Sequence, residues 1–171
     1  MTISVEKLLR EWDKNIDPEY FNRDPRFSLR AEDYATHGAG KNIYQPKNVL
    51  FKPDFTKYGL VLKAARKGHP TDAAVLGFNS YKGVADCLQI QGGHGRYREL
   101  APIQWDSALL RSLISFSREA GLDAVYVVHC FDVNGLDDAD IYRLQNRYNS
   151  NAERQGFRYS ETNRRFVLEL R

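Results

Sequence analysis

Residues 87–121 read CLQIQGGHGRYRELAPIQWDSALLRSLISFSREAG, and the rest of the chain is organised around this stretch. It opens with a strand-like run, Cys87 to Gln91. A glycine turn follows, Gly92-Gly93-His94-Gly95, then a basic patch, Arg96-Tyr97-Arg98. From Pro102 to Ala120 the pattern is helical: Asp106 or Ser107 stands near the start, and Leu109, Leu110, Leu113, Ile114 and Phe116 form an apolar face. Gly121 stops the helix. A strand, a glycine turn and a helix suit an anion, because glycines admit close backbone approach and helix N-termini favour negative charge.

Downstream, Leu122 to Cys130 is β-branched and apolar through its middle, which predicts a buried strand. With the helix between them, Cys87–Gln91 and Ala124–His129 are expected to lie parallel, joined by a right-handed crossover. Asp132 to Asp138 reads as a loop. Ala139 to Gln155 reads as a helix with Ile141, Leu144, Tyr148 and Ala152 on one face, ended by Gly156. Phe157–Tyr159 and Arg165–Leu170 form a closing hairpin around Thr162-Asn163. Upstream, Tyr58–Ala65, Ala73–Asn79 and Val84–Gln91 are separated by short turns, which makes them an antiparallel meander.

Before the meander the sequence says less. Residues 4–14 predict a short helix with Val5, Leu8, Leu9 and Trp12 on one face. Residues 26–57 carry loop signals at Gly38, Gly40, Pro46 and Pro53, with short extended pieces near Ile43-Tyr44 and Val49–Phe51. The chain therefore divides into 1–57, a helix and irregular segment packed on the domain, and 58–171, the domain proper. The fold class is α/β (α+β): a mixed sheet with antiparallel N-terminal strands, a parallel central pair and a C-terminal hairpin.

The 171 residues are 42% hydrophobic and 27% charged, an ordinary balance for one folded domain. No apolar run approaches the roughly 20 residues that span a bilayer, and nothing predicts export. The cysteines, Cys87 and Cys130, form neither a metal spacing nor a disulfide framework, so a reduced cytoplasmic setting is expected. The net charge of +3 conceals a basic block: residues 23–67 hold ten Lys/Arg against four Asp/Glu, an excess of six. Phe27, Tyr34, Tyr44, Phe51, Phe55 and Tyr58 are interleaved with it. Such a segment can bind single-stranded nucleic acid, or it is a solvated surface with its aromatics turned inward.

From about Tyr58 onward the order of elements resembles the GNAT fold of acyl-CoA N-acyltransferases. The features that carry the likeness are the antiparallel strands leading into Cys87–Gln91, the glycine turn before the central helix, the second parallel strand ending at His129-Cys130, and Asn149-Ser-Asn-Ala-Glu-Arg-Gln-Gly-Phe157, similar to the family's closing N-x-x-A-…-G-F pattern. The resemblance implies transfer of an acyl group from acetyl-CoA or another acyl-CoA to an amine on a small molecule or protein. It implies a splay between the two parallel strands where a pantetheine arm pairs with backbone. It also implies diphosphate contacts from Gln91, Gly92, Gly93, His94 and Gly95, with charge from Arg96 and Arg98. The family's turn feeds directly into its helix, whereas here residues up to Pro102 intervene. The family's general-acid tyrosine position is Ala152, and Tyr148 stands one turn back, about 6 Å along the axis.

Several residues carry two readings. His129 can deprotonate an amine, or close a strand end by bonding a loop carbonyl. Tyr148 is a general acid or a core residue. His94 is a base or phosphate contact, or an exposed loop histidine; Cys130 is a nucleophile or an inert buried thiol. Asp132 orients His129 or starts a loop, and Trp105 is a stacking platform or core. Three functions of different class follow: an acyl-CoA N-acyltransferase, a GNAT-like domain without turnover that binds a protein or nucleic acid, and a small-molecule or nucleotide sensor that uses the glycine turn alone.

Overall fold

The computed structural model describes residues 4–12, 26–33, 56–66, 69–93, 95–132 and 142–171. A seven-stranded sheet dominates them, in the order β1-β2-β3-β4-β5-β7-β6. The strands are β1 Phe27–Asp33, β2 Tyr58–Arg66, β3 His69–Tyr81, β4 Val84–Gly92, β5 Ala124–Val128, β6 Arg158–Ser160 and β7 Arg165–Glu169. The helices are α1 Val5–Trp12, α2 Tyr97–Leu100, α3 Trp105–Glu119 and α4 (residues 142–154), and Cys130–Asp132 makes one 3-10 turn after β5.

The meander β2-β3-β4 is antiparallel as expected, and β4 runs parallel to β5 across the α3 connection. The pairing lies earlier on β4 than the sequence reading put it. Val84 to Cys87 face Ala124 to Val127, so of Cys87–Gln91 only Cys87 takes part. The reason is a bulge. Gly77 faces Gln89 and Phe78 faces Cys87, which leaves Leu88 as the extra residue on β4. A bulge bends its strand and raises its local twist. β4 continues to Gly92, but its ladder with β5 stops at Cys87 opposite Val127.

The N-terminal part corrects a second expectation. Residues 27–33, left unassigned within the irregular segment, form β1, which pairs antiparallel with β2. Phe27, Leu29 and Ala31 are buried while Ser28 and Arg30 are exposed, the period-2 pattern of a half-buried strand. Leu8 and Leu9 of α1 join the same core. The extended pieces near Ile43 and Val49, and Ile141 of the last helix, lie outside the described residues. The central helix begins at Trp105 rather than Pro102, because Tyr97–Leu100 form a separate turn of helix and residues 101–104 form turns.

One face of the sheet carries the main core. Leu60, Leu62, Leu76, Phe78, Cys87 and Ile90 meet Leu109, Leu110, Leu113 and Phe116 of α3. Phe78 and Phe116 make an edge-on contact at 5.6 Å between centroids, an arrangement aromatic pairs favour. Burial of these side chains holds the connection between β4 and β5 in place. Phe116 is fully buried, and Phe116→Ala should cost about 3–5 kcal/mol, as large-to-small aromatic changes in cores do. Urea unfolding followed by circular dichroism measures this, and a loss under about 1 kcal/mol would show that this contact is not central to the core.

Candidate functional site

Where the β4–β5 ladder stops, backbone groups of β4 on that side need another partner, because buried peptide groups are costly to leave unpaired. The Tyr148 hydroxyl supplies one. Ile90 N–H donates to Tyr148 Oη at 2.6 Å, and Tyr148 O–H lies 3.3 Å from the Ile90 carbonyl, to which it donates. Tyr148 stands in a π-helical stretch of α4, Gln145–Ser150. Single π turns re-aim side chains and are frequent at functional sites. The α-helical count that set Tyr148 about 6 Å from the position of Ala152 does not describe its reach, since its hydroxyl arrives at the β4 edge. Burial raises the hydroxyl's pKa well above the ordinary tyrosine value, and the bond to Ile90 offsets this in part.

The glycine turn is less open than its sequence. Gly93 N–H donates to Ala73 O of β3 at 2.7 Å, so that donor is committed to the sheet. A Cβ on Gly93 would stand 3.0 Å from Ala73 O and 3.1 Å from Arg96 Cγ. On Gly92 it would meet Leu100 and, at 3.4 Å, the Trp105 ring. Gly95 has φ of +73° with open space around it. Arg96 is buried and turned into the protein. Its Nη2 donates to Thr71 Oγ1 at 2.7 Å, and its Nε lies 3.1 Å from Glu99 Oε2 in ion-pair rather than hydrogen-bond geometry. Arg96 therefore ties the turn to β3. Arg98 is exposed, and Gln91 accepts a bond from Gln89 through its side chain. His94 lies outside the described residues.

At the end of β5, Asn149 organises His129 and Cys130. Asn149 Oδ1 accepts from Cys130 N–H at 3.0 Å, which fixes the amide so that Nδ2 faces His129 Nε2 at 2.9 Å. Nε2 then accepts from Asn149, in competition with the Phe131 N–H, which reaches the other ring nitrogen, Nδ1, at 3.3 Å. The His129 ring stacks on Phe166 at 5.8 Å and meets Phe131 and Tyr159, both exposed. Cys130 Sγ is 3.9 Å from His129 Nδ1 and accepts from Asn149 Nδ2. Burial raises this thiol's pKa, with the Asn149 bond opposing, and a buried thiol held in neutral form is a poor nucleophile. Asp132 is paired with Arg164 at 2.7 Å.

The structure thus brings Gln91, Gly92, Gly93 and Tyr148 to the end of β4, and His129 to the end of β5. Ile90 and Asn149 join this arrangement without a sequence signal of their own: Ile90 contributes only backbone, which no side-chain pattern marks, and Asn149 falls in the N-x-x-A pattern, whose likeness concerns the fold. Of the basic block's aromatics, Phe27 and Tyr58 are buried, while Tyr34, Tyr44, Phe51 and Phe55 lie outside the described residues.

Tyr148 and Cys87 both have pKa values raised by burial. Both groups stay protonated in the folded state after they would ionise in the unfolded chain, so the unfolded state loses protons first and stability falls as pH rises. The stabilisation is complete below about pH 8 and declines as pH rises through and above the ordinary thiol and phenol values of about 8.5 and 10. Urea midpoints measured from pH 8 to 11 should fall, with a shallower fall in Tyr148→Phe. At neutral pH that variant should lose about 1–3 kcal/mol, because the buried Ile90 N–H loses its acceptor. Equal alkaline slopes in the two proteins would overturn this assignment.

No family model matches the sequence, and no curated protein matches it. Seven chains among solved structures do match. One is the ribosomal-protein-S18-alanine N-acetyltransferase from Escherichia coli, with 15% sequence identity, a TM-score of 0.45, and coverage of 84% of this chain and 94% of that one. At that distance the comparison carries no argument about this chain. The GNAT-like description of this chain rests on its own sheet order, on the parallel β4–β5 pair across α3, and on the closing hairpin.

Proposed function

We propose that this chain is an acyl-CoA N-acyltransferase of GNAT-like fold, moving an acyl group to an amine carried by a small molecule or a protein. Acetyl-CoA is the first donor to test, and the cytoplasm the setting the composition favours. One observation carries the reading. The β4–β5 ladder stops at Cys87 opposite Val127, and beyond it the Ile90 N–H donates to the Tyr148 hydroxyl. An N–H donor beside a phenol can serve acyl transfer to an amine, one as oxyanion donor and the other as acid. In this reading the amine nitrogen attacks the thioester carbonyl, and the Ile90 N–H, exchanging its bond to Tyr148, donates to the developing oxyanion. The carbon–sulfur bond then breaks, and Tyr148 gives its proton to the departing sulfur. Burial keeps this tyrosine protonated and also makes it a weaker acid, so it can yield its proton only as the thiolate charge develops beside it. The amine's proton passes to water or to His129, whose Nε2 must first release Asn149.

A second reading, a GNAT-like domain without turnover that binds a protein or nucleic acid, draws on the turn. Gly93 N–H and Arg96 are committed to β3, and Asp106 Oδ1 accepts the Ser107 N–H in the first turn of α3. The basic segment 23–67 would then be the contact surface.

Thermal unfolding with and without acetyl-CoA, followed by transfer assays on a panel of amines, separates the two. Ligand at 100 times its dissociation constant should add about 2.7 kcal/mol of stability. No shift would remove the acyltransferase reading, and a shift without transfer to any amine favours the second. Where transfer occurs, Tyr148→Phe should lower kcat by roughly 10²–10⁴, the usual worth of a positioned acid. A change within a few-fold would take the acid role from Tyr148.

A further inference from the structure

A diphosphate-bearing ligand at the end of β4 needs cationic donors, and the turn supplies few. Arg96 is buried on Thr71 and Glu99, and the Gly93 N–H is bound to β3. A different arginine stands at the same place. Trp105, the first residue of α3, lies against Gly92 at the end of β4. The guanidinium carbon of Arg147 sits over the Trp105 ring, 5.0 Å from its centroid. Arg147 directly precedes Tyr148, whose hydroxyl is on Ile90 two residues before Gly92. Arg147 and Trp105 are both half-buried.

Stacking on an aromatic face uses the plane of a guanidinium and leaves its edge. The five N–H donors lie in that plane and point outward. Arg147 forms no ion pair among the described residues. Asp106, beside Trp105, has Oδ1 occupied by the Ser107 N–H. The indole thus holds the Arg147 guanidinium near the end of β4, with no ion-pair partner among the described residues, and a planar fork placed there can match phosphate oxygens bidentately.

We propose that Arg147, held over Trp105 at the end of β4, is the main cationic contact for the diphosphate of a CoA-type ligand, in place of the buried turn arginine Arg96. The inference rests on the acyl-CoA reading of the site. It assigns the charge to α4, one residue from Tyr148, so one short helical stretch positions both the phosphates and the reacting end.

The test is calorimetric titration of wild type, Arg147→Gln, Arg147→Lys and Arg96→Gln with CoA, pantetheine and inorganic pyrophosphate, at two salt concentrations. Arg147→Gln should weaken CoA binding roughly 10- to 100-fold, the range expected for charge-assisted hydrogen bonds. It should leave pantetheine binding unchanged and flatten the salt dependence. Arg147→Lys should fall between, keeping charge but losing the fork. Arg96→Gln should lower the unfolding midpoint, with CoA affinity unchanged at temperatures where it is folded. If wild type binds CoA and Arg147→Gln, folded by circular dichroism, binds it equally well, the inference is overturned and the acyl-CoA reading stands. If wild type binds neither CoA nor pantetheine, the acyl-CoA reading falls. The anion site then survives only if pyrophosphate binds wild type and not Arg147→Gln, and otherwise both are overturned.

Discussion

The local structure at the candidate site depends on one requirement: the N–H and C=O of Ile90 must be paired after β4 leaves β5. Leu88 is the residue that forces the issue. As the extra member of a bulge it bends β4, and the ladder with β5 ends one residue before it. Two buried peptide groups left open there would cost more than most single contacts in the domain contribute. A tyrosine hydroxyl, which both accepts and donates, answers both at once. The π turn in α4 belongs to the same solution, since Tyr148, which reaches β4, lies within it.

The same groups serve stability and chemistry, and that overlap shapes what the site can do. The bond from Ile90 to Tyr148 closes the gap in the unliganded protein, so any ligand that uses the Ile90 N–H must displace it. Asn149 plays a parallel part at the other strand. It holds the Cys130 backbone and the His129 ring together, and it occupies the nitrogen a base would present. The buried network of Ser107, Asn151 and Gln155 joins α3 to α4, fixing the helix that carries Tyr148 against the helix that begins at Trp105.

Much of the fold was legible. The meander, the α3 crossover, β5 and the closing hairpin follow from apolar period, glycine stops and short turns, and each was placed within a few residues. β1 was legible and missed: Phe27, Leu29 and Ala31 alternate with Ser28 and Arg30, but the surrounding prolines and glycines drew the segment toward loop. The bulge at Leu88 was not legible, because its residues look like an uninterrupted strand and the extra residue shows only against the register of β3. The site was harder still. The glycine turn advertises an anion site, yet the commitment of Gly93 and Arg96 to β3 depends on Ala73 and Thr71, about twenty residues earlier. Tyr148 reaches β4 from within a π turn that no local pattern announces.

The interruption of the β4–β5 ladder also bears on self-association. A sheet with an unpaired stretch of strand in its interior carries a second kind of edge, one that added strands or neighbouring chains could zip onto. Outer edges are usually guarded by charge, proline or a covering element. Here the guard for the inner edge is a single phenol from a distant helix, with the bulk of α4 behind it. Release of that helix, by heat or by damage to its packing, would expose a short template of free peptide groups flanked by the apolar side chains of Ile90 and Val128. The docking of α4 over that inner edge therefore opposes strand-to-strand association there.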